Sequence, residues 1–183
     1  MNWLNSVFIL VAAALAVFWE AAFNGVRHLI GAQIDLLPAL MVYAGLSAGV
    51  TTVTMLAVLG GLWFDSLSAN PLGVSVLPLF VIGLVIQVNR NLILRDQAVA
   101  QLVLGFAASA AAPVLTLLLL LTTRQTPLLG WGTLWQLIVM SVGGAIATPI
   151  CFEMFSWLNR TLVHRRATET SFRSDREIRR GKG

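Results

Sequence analysis

Apolar residues run in long blocks along this chain, broken by short polar punctuation, with neither the strict alternation of a half-buried strand nor the one-sided stripe of a soluble helix. The first block covers residues 3–23 and is interrupted only by Glu20. Residues 24–35 form a connector, after which Leu36 to Phe64 is almost wholly apolar. As one helix those 29 residues would run ~43 Å, well past a hydrocarbon core of ~30 Å. Gly45 and Gly49, followed by Thr51 and Thr52, offer a break, giving two short helices near 36–48 and 52–65. Further blocks cover 71–89, 98–121 and 134–158, separated by a charged loop at 89–96 and a polar turn at 122–133. The pattern predicts an all-α polytopic membrane protein, a bundle of six transmembrane helices.

Composition agrees. The chain is 57% hydrophobic and 11% charged, with a mean hydropathy of +0.83, which excludes an ordinary soluble domain. With 183 residues there is room for about five to seven spans of ~20 residues and little else. The block at 3–23 is too long for a signal-peptide core and lacks a charged lead, so it is expected to be a retained span. The chain is expected to divide into a helix bundle, 1–158, and a basic, largely mobile tail, 159–183. Seven Arg and one Lys after residue 159 face three acidic residues, a net of +5, whereas the remainder carries −1. By the positive-inside rule the tail is cytoplasmic, and with six spans so is the N-terminus. A five-span arrangement satisfies the charge bias equally; helix length favours six. The tail's natural partner is anionic lipid, since no aromatic interleaving supports nucleic acid.

Charge inside the blocks is scarce and therefore informative. Glu20 and Asp65 are placed towards the outer face. Glu153 is placed towards the inner face, within reach of Arg90 or Arg160 for a structural ion pair or, alternatively, in a transport role. Asp65 ends an apolar run where the helix dipole disfavours a carboxylate, so it requires a partner or a capping task unless it is simply solvated. Asn70 and Pro71 suit the N-cap and first position of the next helix, making 60–73 the turn of a transmembrane hairpin. Ala12 with Ala16, Gly45 with Gly49, and Gly61 are candidates for close helix packing. Pro78, Pro113 and Pro149 are expected to kink their spans.

Several chemistries find no support. The two histidines, His28 and His164, fall in a connector and in the tail, so no nucleophile–base dyad assembles within a span. No metal-ligand spacing or phosphate-cradling loop is present, and neither a metal nor a cofactor is expected. The single cysteine, Cys151, lies in an apolar block, so no disulfide framework exists.

One stretch carries a resemblance. Gly61-Leu62-x-x-Asp65, then Pro71-Leu72-Gly73, a helix, and Arg90 at its end resemble the bacterial rod shape-determining MreD family over about thirty residues. Size, span count and basic tail are similar over most of the chain. The resemblance implies a fold similar to the substrate-binding subunits of energy-coupling-factor transporters, with an outward-facing cavity. It also implies a non-enzymatic role in the cell-elongation complex of the inner membrane. There the family binds the single-span protein MreC and helps link MreB filaments to peptidoglycan synthesis by RodA and its partner transpeptidase. By motif, Asp65, Pro71, Gly73 and Arg90 are the marked positions, with turn formation and close packing the plainer explanation for Pro71 and Gly73. The competing expectation is a small-molecule-binding transporter subunit, its pocket drawn from Glu20, Asn24, Asp65, Asn70 and Trp131. Ala12 and Ala16 would then meet the coupling subunit.

Overall fold

The computed structural model describes residues 3–22, 31, 34–68, 71–93, 97–122 and 130–170. Among them are six helices and no strand: α1 (Trp3–Ala22), α2 (Leu37–Ser47), α3 (Val50–Leu67), α4 (Val76–Asn89), α5 (Ala98–Thr122) and α6 (Trp131–Thr170). The expected all-helical architecture is observed. Four of the helices, α1, α3, α5 and the Trp131–Leu158 part of α6, are long and apolar enough to cross a membrane. The other two are short: α2 has 11 residues and α4 has 14, which at 1.5 Å per residue makes them about 16 and 21 Å long. The chain divides into two compact units, Met1–Cys151 and Phe152–Gly183.

In the first unit α2 is the centre. Every residue from Leu37 to Leu46 is buried, because α2 packs against α1, α3, α4 and α5. A helix that is apolar on all sides is at home only in such a position. The break after it lies at Ala48–Gly49, within about two residues of the expected one, and reverses the chain direction. Leu37 of α2 lies against Gly60 near the far end of α3, so the two run antiparallel. Gly49 serves this break as the N-cap residue of α3, its carbonyl accepting from Thr52 N (3.0 Å) and Val53 N (3.2 Å). α4 runs parallel to α2, with Gly45 against Ile86 and Met41 against Gly83. α1 runs parallel to α3; a hydrogen bond of 2.7 Å joins the Ser6 and Thr52 hydroxyls near their starts. α5 and α6 run antiparallel and close, Gly105 against Thr148 and Gly144 against Ser109.

α1 shows how the chain divides its faces. Ile9, Ala13 and Val17 are buried, whereas Val7, Val11, Leu15 and Phe18 are exposed on the opposite side. Ala12 and Ala16 fall between the two faces, half-buried.

Three expected boundaries shift. The fourth helix begins at Val76 and not at Pro71; residues 72–75 form turns, so Pro71 is not a first helical position, and Asn70 lies outside the described residues. Pro78 consequently falls in the first turn of α4, where it costs no hydrogen bond, instead of kinking a span. The last helix starts at Trp131 and continues to Thr170, twelve residues past the expected end at Leu158. In that second unit Glu153 is exposed.

Gly61 marks the tightest approach of α4's start to α3. A Cβ there would lie 2.9 Å from both the backbone N and Cα of Val76, atoms that cannot swing aside. Gly61→Ala should therefore destabilise the folded chain by about 1–3 kcal/mol. Gly132→Ala, where a Cβ meets nothing within 4 Å, should be neutral or mildly stabilising. Thermal melting of both variants in detergent checks this, and equal melting temperatures would refute it.

Candidate functional site

The starts of the two short helices gather the polar chemistry of the first unit. The first backbone N–H groups of any helix lack an intrahelical partner, and burial makes that vacancy costly. At the start of α2, Glu20 reaches over from α1 and its Oε1 accepts from Leu36 N at 2.6 Å. Asp35, one residue ahead of the N-cap residue Leu36, accepts from Leu37 N through Oδ1 at 2.9 Å, a side-chain turn of the kind Asp favours two residues before its donor. Pro38, with no N–H to satisfy, follows in the first turn. Glu20 Oε2 is buried with no partner among the described residues.

At the start of α4 the same device recurs. Asp65, only 2% exposed near the C-terminal end of α3, accepts through Oδ2 from Gly73 N (2.8 Å) and Ser75 N (3.1 Å). Its helix dipole opposes a carboxylate there, but the turn that leads into α4 supplies two N–H donors, beside the positive end of that helix's dipole. Gly73 takes φ +92°, a left-handed conformation that only glycine adopts cheaply, and this aims its N–H at Asp65. Asp65 Oδ1 is left buried without a partner among the described residues.

The far end of α4 holds Arg90. In the amide orientation that satisfies both of its ends, Gln87 donates to Gly45 O (2.6 Å) and Ala48 O (3.2 Å), while its oxygen accepts from Arg90 Nη1 (3.0 Å). Gln87 thus covers carbonyls freed where α2 stops, and Arg90, itself exposed, holds Gln87 in place.

Beside the acidic end lies a cavity of about 240 Å³. Asp35, Phe64 and Ser75 line it from the ends of α2, α3 and α4; Thr116 and Leu117 face it from α5, and Gln136 from α6. Of the expected pocket residues, Glu20 and Asp65 stand near its rim in the caps just described but do not line it, and Trp131 is 84% exposed at the start of α6. Asn24 and Asn70 lie outside the described residues. Sequence reasoning missed Asp35 and Gln87. An Asp directly before an apolar run whose third residue is Pro marks a turn, and a lone Gln in an apolar helix marks a polar obligation.

Among the described residues no group of three or more His, Cys, Asp or Glu side chains could hold a metal ion. No protein-family model, no curated protein and no solved structure matches this chain.

Burial pushes the Asp35 carboxyl up to about 6, against the lowering effect of the Leu37 N–H. The folded chain therefore holds this proton more tightly than the unfolded chain, and stability falls as pH rises from the ordinary carboxylate range through about 6. Melting temperature should drop between about pH 4.5 and about pH 7.5, and the drop should shrink in Asp35→Asn, whose amide oxygen keeps the Leu37 bond. An unchanged pH dependence in that variant would show that Asp35 does not titrate in this range.

Proposed function

We propose that this chain is a non-enzymatic multi-pass scaffold of the bacterial inner membrane, of the MreD type. In this reading it serves the cell-elongation complex, binds MreC, and helps link MreB filaments to peptidoglycan synthesis by RodA and its partner transpeptidase. All six helices cross or enter the membrane, and both termini are cytoplasmic, as the charge of the last 24 residues favours.

The observation that carries the reading is what the motif residues do. Asp65 and Gly73 join into one latch at the start of α4, and Arg90 orients a second latch at its end through Gln87. A motif whose members fix helix ends defines a shape, and a shape with apolar lateral faces suits helix-to-helix recognition in lipid. None of these side chains is paired with a base, which an activated nucleophile would need.

Asp65→Ala should strand the Gly73 and Ser75 N–H groups at about 1–3 kcal/mol. A scaffold has no turnover to lose, so the expected result is weaker capture of MreC and rounded cells, with membrane abundance nearly unchanged. Pro71→Ala, which alters only chain stiffness in the preceding loop, should be close to silent, at under ~1 kcal/mol. Rod-shaped Asp65→Ala cells with normal MreC capture would overturn the scaffold reading. Loss of uptake of a small molecule would instead favour the transporter-subunit alternative, to which the cavity gives physical content.

A further inference from the structure

Asp35 is the only ionisable side chain among the described residues that line the cavity. It is 7% exposed, and while Oδ1 is held by Leu37 N–H, Oδ2 makes no hydrogen bond among the described residues. An Oδ2 that opens onto the cavity is met by water, by a proton or by a cation with N–H donors, and of these the cation makes the charge-assisted bond. The rest of the lining supplies what such a cation needs next. Ser75, Thr116 and Gln136 offer neutral acceptor oxygens, while Leu79, Leu117 and Leu137 form an apolar wall.

We propose that this cavity binds a primary ammonium group carried on a short apolar stem, with Asp35 as its counter-ion. Size and chemistry narrow the class. The volume of about 240 Å³ falls below the roughly 300–1,000 Å³ of sites for drug-sized ligands, so the occupant is small. Quaternary ammonium groups are recognised by aromatic cages, and this lining holds one aromatic ring, Phe64, with several oxygens, which suits a compact N–H donor instead. An anion is disfavoured, because the lining residues described include no basic side chain. The required ammonium could be a soluble alkylamine or the ethanolamine headgroup of a membrane lipid. The proposal does not rest on the scaffold reading; either can fail alone.

The test uses the full chain in phosphatidylcholine nanodiscs, titrated calorimetrically with hexylammonium, hexanol, hexanoate and N,N,N-trimethylhexylammonium. Empty discs correct for partition into lipid. Hexylammonium should bind at least about tenfold more tightly than the other three, and Asp35→Asn should weaken it by about tenfold or more while keeping the Leu37 bond. Should Asp35→Asn fail to fold, Leu117→Trp, which fills the cavity and leaves the charge, should abolish binding. Equal binding of hexylammonium and hexanol would mean a merely apolar hole and overturn the proposal, as would wild-type affinity in both variants or no binding by folded protein. With binding established, adding phosphatidylethanolamine separates the sources: a weaker apparent hexylammonium affinity assigns the site to the lipid headgroup, and an unchanged one to a soluble amine.

Discussion

The structure turns on how the N–H groups at the entry to α2 and in the turn before α4 are satisfied. Both helices are too short to cross a ~30 Å hydrocarbon core from end to end, so their starts fall inside packed protein. Bulk water does not reach such positions, and every open N–H is a debt of several kcal/mol. Neighbouring carboxyl groups meet it: Glu20 and Asp35 at Leu36 and Leu37 where α2 begins, and Asp65 at Gly73 and Ser75 in the turn that leads into α4. Three of the few acidic residues in the apolar part of the chain are thereby explained by one requirement. Their acceptor oxygens are placed where the helix dipoles are positive, so geometry and electrostatics act in the same direction.

Short helices matter because of what they permit beside them. α2, buried on all sides, lets α1, α3, α4 and α5 pack around it, with glycines where backbones come closest. Since α4 begins only at Val76, Ser75 and the end of α3 can border the cavity together with α5 and α6. A full-length helix starting at Pro71 would continue through the turn that now presents Gly73 and Ser75 to Asp65. Cap and cavity are consequences of the same late start.

Much of this was legible in the sequence, and the failures have a common physical cause. Apolar blocks longer than a strand and bounded by polar residues placed α1, α2, α3 and α5 within about two residues, because helix length in an apolar medium is set by local composition. The break at Ala48–Gly49 was also local, written in glycine. The start of α4 was not. Asn70-Pro71 is a sound local start signal, yet the helix begins where Asp65, from the preceding helix, provides acceptors for Gly73 and Ser75. A tertiary hydrogen bond overrode a local preference. Asp35 looked like the end of a connector because no local pattern marks its burial, and the cavity itself could not be read since its lining comes from five helices or their flanks.

The three buried carboxylates share a further property that bears on recognition. Each commits one oxygen to backbone N–H groups and leaves the other without a hydrogen bond among the described residues: Oε2 of Glu20, Oδ1 of Asp65 and Oδ2 of Asp35. A capping bond fixes the carboxyl plane, so the unused oxygen is held in a set direction at no further cost in side-chain entropy. Two of these oxygens are enclosed by protein and meet no ligand. The third belongs to a cavity-lining residue and can meet a ligand directly. The same interactions that let two short helices begin inside the packed unit therefore leave one end of it preorganised for positive charge. Arg90 and Gln87 serve the opposite end, where helix carbonyls and not N–H groups need partners. The polarity of the two ends follows from the direction in which α2 and α4 run, and from that direction comes the sign of what each end can bind.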